Sequence, residues 1–109
     1  MNDNFLRDYN ELKGASLDIG QLIKSRSAKA KGDTGTVVLE QQITKELDKF
    51  NSKLISITKG YTEKYKKSDN QIEASKRINQ LNDLEKVYKS QKASFDEILD
   101  AKYKYVRIT

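Results

Sequence analysis

The sequence predicts an all-α fold, an up-down-up antiparallel three-helix bundle with left-handed, coiled-coil-like packing. Three observations predict it. Apolar residues recur at alternating steps of four and three along most of the chain, a spacing that lines one stripe of an α-helix. The 109 residues include no proline and five glycines, so long helices meet few breaks. Two polar stretches interrupt the pattern, and short connections between long helices turn each one back on its predecessor. A chain of this length is expected to form one domain, residues 1–109.

The first helix is expected over about residues 3–26. Phe5, Tyr9, Leu12, Ser16, Ile19 and Ile23 are spaced 4, 3, 4, 3 and 4 apart. Leu6, Ala15 and Leu22 widen that stripe into a bundle face. Ser16, small and central, reads as a point of close helix approach rather than a functional group. Gly14 and Gly20 each cost up to about 1 kcal/mol relative to alanine in a helix interior.

The stretch Ser27–Gly35 is small, polar and aperiodic, and reads as a loop. Lys24, Arg26, Lys29 and Lys31 form a basic cluster around its start. The plain reading is a solvated loop. The functional one is a weak contact with an acidic partner or lipid headgroup.

The second helix is expected over about residues 36–65, with Thr36 as N-cap. Its stripe is Ile43, Leu47, Phe50, Leu54, Ile57 and Tyr61. Gly60 is able to end the helix, but Tyr61 and Tyr65 keep to the stripe beyond it, so continuation is expected. Lys66–Asn70 reads as the second turn.

The third helix is expected over about residues 70–103. Asn70 and Glu73 have the spacing of a capping box. The predicted core positions are Ile78, Leu81, Leu84, Tyr88, Phe95, Ile98 and Leu99. Ile72 belongs to the same apolar set, with Ala74 and Val87 at its margins. Lys89–Ser94 lacks large apolar groups, and Gln91 sits on the stripe there. That gap predicts either a solvent-accessible section or a docking place for another chain. The tail Lys102–Thr109 alternates cation and apolar group, which predicts extended or frayed structure. Glu63–Lys67, Glu73–Arg77 and Glu85–Lys89 are acid-before-base pairs at i, i+4.

The chemistry expected of this sequence is slight. Without cysteine or histidine it has no disulfide, no commonplace general base and no usual transition-metal ligand. Glu46 with Asp48, and Asp96 with Glu97 and Asp100, fall on slim helix faces beside lysine. They lack the cleft and raised pKa of paired catalytic carboxylates. The GDTG segment lacks the lysine and spacing of a phosphate-binding loop. No enzyme activity and no cofactor are expected. No apolar run approaches the roughly 20 residues of a membrane span. The N-terminus lacks the basic and apolar regions of a secretory signal. The net charge is +5, spread as +1, +2 and +2 over residues 1–35, 36–70 and 71–109. Nucleic acid is a poor fit to so even a distribution.

A family resemblance adds a functional expectation. The segment FLRDYNELKGASLDIGQLIKSRS combines an aromatic start, Arg-x-Tyr-Asn-Glu, a small-residue middle and a closing Ile-x-x-Arg-Ser. It resembles the opening of endosomal and vacuolar Qc-SNARE proteins of the syntaxin-8-like group. SKRINQLNDLEKVYKSQKASF is similar to the third helix of their N-terminal, Habc-like domain, while the second helix agrees in length and heptad pattern. The resemblance implies a three-helix regulatory domain acting in vesicle fusion. Its implied partners are other SNARE proteins, a tethering factor or an adaptor, with an anionic membrane surface as a further possibility. A full-length protein of this kind lies on the cytoplasmic face of endosomal or vacuolar membranes. It continues into a SNARE motif and a membrane anchor, which this chain lacks, so a soluble, monomeric N-terminal piece is expected. Gln91 is not read as a SNARE-motif glutamine, because the heptads around it lack sustained apolar layers. If a helix docks, Lys86, Lys89, Gln91 and Lys92 are expected to line or rim its groove. The alternatives are a basic bundle binding anionic membrane or nucleic acid, and a generic helical adaptor.

Overall fold

In the computed structural model, residues 3–29 and 35–108 are described, with side chains through Lys102. They form three α-helices and no strand: α1 (Phe5–Ala28), α2 (Gly35–Tyr65) and α3 (Gln71–Ile108). Each helix packs on both others, in a rod of 61 × 23 × 17 Å.

Cross-helix contacts fix the topology. Tyr61 meets Asp8 and Arg26 meets Glu40, so α2 runs against α1. Glu40 also meets Lys102, while Tyr65 meets Arg77, so α3 runs against α2. Arg77 meets Asp3 and Gln91 meets Ser16, at sequence separations of 74 and 75. That near-constant offset places α3 parallel to α1 and in one register. The arrangement is up-down-up.

The stripes meet along the axis. Phe5, Leu12, Ile19 and Ile23 of α1 are buried against Ile43, Leu47, Phe50, Leu54 and Tyr61 of α2 and Leu81, Leu84, Tyr88 and Phe95 of α3. Tyr9, Ile57, Ile78, Ile98 and Leu99 pack half-buried at the edges. Tyr65 and Ala74 complete the core. Ser16 is buried, as close approach requires.

Several expectations are corrected. Leu6 is 68% exposed and Ile72 87% exposed. Leu6 lies about 100° around α1 from the buried Phe5, and Ile72 lies far around α3 from the buried Ala74. Val87 is also exposed. Thr36 is not an N-cap: α2 begins at Gly35, and Thr36 is buried inside its first turn. The tail is not extended, because α3 continues unbroken to Ile108, through a stretch with no glycine or proline to stop it.

The ends of the helices are held by specific polar groups. α1 starts at Phe5 because the Asp3 carboxylate accepts the Phe5 N–H at 3.1 Å. α2 passes Gly60 without a break and ends at Tyr65. Gln71 donates to the carbonyls of Tyr65 and Ser68 at 3.0 and 2.7 Å, satisfying acceptors the helix end leaves open. Half of the capping box forms. The Asn70 side chain accepts the Glu73 N–H at 3.1 Å, but Glu73 turns to Arg77 instead of returning to Asn70. Lys66 and Lys67 both fall beyond α2, and Glu63 pairs with Lys66 rather than with Lys67.

Candidate functional site

Three depressions lie along the crease between α2 and α3. Antiparallel stripes leave a furrow wherever their flanking residues are short. Here Thr62, Ala74 and Ser75 flank it near the α2–α3 turn. Asn51, Thr58 and Glu85 flank it at mid-height, and Thr44, Asp48 and Lys92 near the far end. Its floor is apolar: Ile78, Leu54, Tyr88, Phe95 and Leu99. Ile55, 59% exposed, stands on its wall.

The four residues expected at a partner groove are not together. Lys92 lies in the α2–α3 crease, where it pairs with Asp96 at 3.3 Å. Lys86 and Lys89 border a shallow depression on α3 with Asn79, Asn82 and Glu85, on the outer side of the crease wall that Asn79 and Glu85 share with it. They pair locally with Asp83 and Glu85, at 4.0 and 3.0 Å. Gln91 turns the other way. Its amide donates to the Ser16 carbonyl at 3.0 Å, and its carboxamide oxygen is buried without a partner. The gap in the α3 stripe is therefore closed by α1: at Ser16 and Gly20, small residues let α1 approach. Gln91 is a seam residue, not a groove residue.

The basic cluster also divides. Lys24 and Lys29 are exposed. Lys31 lies outside the described residues. Arg26 is buried, and its Nε donates to Glu40 at 2.9 Å, so it is not presented to an acidic partner.

Two buried polar clusters, which sequence reading did not assign, close the bundle ends. At the first, Asp3 accepts from the Tyr65 hydroxyl at 2.6 Å and from Arg77 at 2.9 Å, with Lys64 at 3.5 Å. Arg77 also lies over the Phe5 ring at 5.0 Å and the Tyr65 ring at 5.9 Å. Tyr61 meets Phe5 edge-on at 5.2 Å and donates to Asp8 at 2.6 Å. Burial pushes the Asp3 carboxyl up, but the Tyr65 hydroxyl, the Phe5 amide, Arg77 and Lys64 outweigh it and hold Asp3 at about 2. Burial and Asp8 raise Tyr61, and burial and Asp3 raise Tyr65.

At the second end, Glu40 accepts from Arg26 at 2.9 Å and from Lys102 at 2.8 Å. Lys102 also donates to the Thr36 hydroxyl at 3.1 Å. Burial raises Glu40, yet hydrogen bonds and charge from Lys102 and Arg26 hold it below the usual carboxylate range.

A signal for these clusters was present in the spacing. Thr36 and Glu40 continue the α2 stripe backward from Ile43, and Arg26 continues the α1 stripe from Ile23. Arg77, Gln91 and Lys102 fall on the α3 stripe at 77, 81, 84, 88, 91, 95, 98 and 102. Polar residues in phase with a core stripe mark where buried charge must be paired.

Both clusters are saturated with cations and hydroxyl donors, an arrangement that holds helices together and poises no group for proton transfer. Among the described residues no group of acids could hold a metal ion, and no helix is long and apolar enough to cross a membrane. Comparison with protein-family models, with curated proteins and with solved structures finds no match.

Proposed function

We propose that this chain is a non-catalytic regulatory domain of a SNARE protein of the endosomal or vacuolar pathway, and that it receives a partner helix in the α2–α3 crease. Two things support the reading: the Qc-SNARE-like residues of α1 and α3, and the three-helix architecture that goes with them. The observation that carries the binding role is the crease itself. It is apolar on its floor, polar on its rims and exposes Ile55, which suits the apolar stripe of an amphipathic helix.

The test is a titration of isotope-labelled protein with a synthetic helix carrying an endosomal SNARE motif. Amide shifts are expected at Thr44, Asp48, Ile55, Thr58, Lys92 and Leu99. Shifts spread evenly over the surface, or none at these positions, sink the reading. Membrane or nucleic-acid binding draws on the net charge of +5. It is weakened by the pairing of Lys86, Lys89 and Lys92 with acids on their own helix. A steeply salt-dependent affinity for anionic vesicles would favour it instead.

A further inference from the structure

Among the described side chains, the last fully buried apolar residue of α3 is Phe95, and Ile98 and Leu99 are half-buried. One turn later the attachment changes character. Lys102, with its side chain 17% exposed, reaches across to α2 and donates to Thr36 and to both carboxylate oxygens of Glu40. α3 then continues as helix to Ile108. Both acceptors lie in the first two turns of α2, 66 and 62 residues away in sequence. Glu40 is in turn held by Arg26, near the end of α1.

This geometry makes the end of α3 and the α1–α2 junction depend on one buried carboxylate. When α3 is wound through Lys102, Glu40 has two cations and Thr36 has a donor. When α3 unwinds before Lys102, both carboxylate oxygens of the buried Glu40 lose a charged donor and Thr36 loses that donor as well. Buried charge tolerates that poorly, so the first turns of α2 open with the end of α3. We propose that Arg26, Glu40, Thr36 and Lys102 form a conformational latch. It relays the winding of the last turns of α3 to the junction where Lys24 and Lys29 are exposed. The latch is independent of whether the α2–α3 crease takes a helix.

Hydrogen exchange read by mass spectrometry on the whole chain tests it, with three variants. Lys102→Met should raise exchange about tenfold over residues 36–43 as well as 96–102, because a charge-assisted bond is lost at both. Lys102→Arg should stay within about twofold of the parent, since it keeps the charge and its donors. Ala101→Gly leaves every charge in place and only weakens the exposed helix. It should raise both segments together, by about fivefold. Residues 61–65 and 74–81, at the opposite end, should keep the parent rate in all three and so report that the bundle is folded. The latch is overturned if Ala101→Gly speeds exchange over 96–102 alone. It is equally overturned if Lys102→Arg behaves like Lys102→Met, or if the opposite end speeds up as much as 36–43.

Discussion

Each end of the bundle buries one carboxylate where all three helices meet, but the two ends are built differently. At the first, Asp3 is wrapped by aromatic side chains. Arg77 spends its planar face on Phe5 and Tyr65 while its edge reaches Asp3. At the second, Glu40 is held by Arg26 and Lys102, and among the described side chains no aromatic ring stacks on either cation. An ion pair inside a shell of rings combines charge pairing with cation–π attraction and large apolar contact. A bare ion pair relies on charge and hydrogen bonds alone, and a flexible lysine is one of its members. On the proposed latch, the first end stays fixed and the second is the one that releases.

The largest expected effect tests that separation directly. Arg77→Met removes the main cation of Asp3 and uncovers two rings, and should cost about 3 kcal/mol in a urea unfolding midpoint at constant slope. Lys102→Met should cost about half as much, roughly 1–2 kcal/mol, because Arg26 remains on Glu40. Arg77→Lys should recover less than half of the loss, since an ammonium does not stack as a guanidinium does. Equal losses at the two ends would abolish the distinction.

Acid provides the second test. Asp3 is lowered from 3.8 to about 2 in the folded protein. A depressed carboxylate contributes stability above its unfolded value and loses it as pH falls through its folded value. Asp3 should therefore contribute about 2 kcal/mol that is present above pH ~5 and gone near pH ~2. Glu40 is lowered as well and acts in the same direction. Asp3→Asn should flatten the acid limb of stability against pH more than Glu40→Gln does. Tyr61 and Tyr65 are raised above the ordinary 10.0. Their contribution is present below that value and declines as pH rises through their folded values. An acid limb unchanged by Asp3→Asn would show that the buried shell does not hold that carboxylate ionised.

What could be read in the sequence divides along the same line. The fold followed from the apolar members of each stripe, because steps of four and three leave a helix one face to bury. Phe5, Leu12, Ile43, Leu81 and Phe95 behave accordingly. The clusters did not follow, although their residues lie on the same stripes. Spacing shows that Arg26, Glu40, Arg77 and Lys102 point inward, but not which acid each base meets. The pairs span 14 to 74 residues in sequence and are set by helix register, which only the assembled bundle fixes. Gln91 was misplaced for a related reason. A polar residue on an apolar stripe looks like an opening until a neighbour as slim as Ser16 and Gly20 closes over it. A groove beside α3 was expected, and Lys92 lies in one; its α2 rim was not assigned, because Thr44, Asp48, Asn51 and Thr58 are small polar residues that carry no periodic signal.

Gln91 gives the smallest of these effects, and it concerns the middle that the two ends clamp. Its amide is bonded to the Ser16 carbonyl, an acceptor that α1 already supplies with a donor of its own. Its oxygen is buried and unpartnered, a state that costs about 1–3 kcal/mol. Gln91→Met has the same length without that oxygen. It should raise stability by about 1 kcal/mol, seen as a higher urea midpoint. The parent keeps the costlier residue, and the amide ties α1 to α3 within one residue of the offset that Asp3 and Arg77 set. A single polar group on a helix seam is known to fix register at the expense of stability. If that is its role here, the methionine variant should be more stable yet show broader amide resonances over α1 than the parent. A variant that is both more stable and equally sharp would leave register to the charged ends alone.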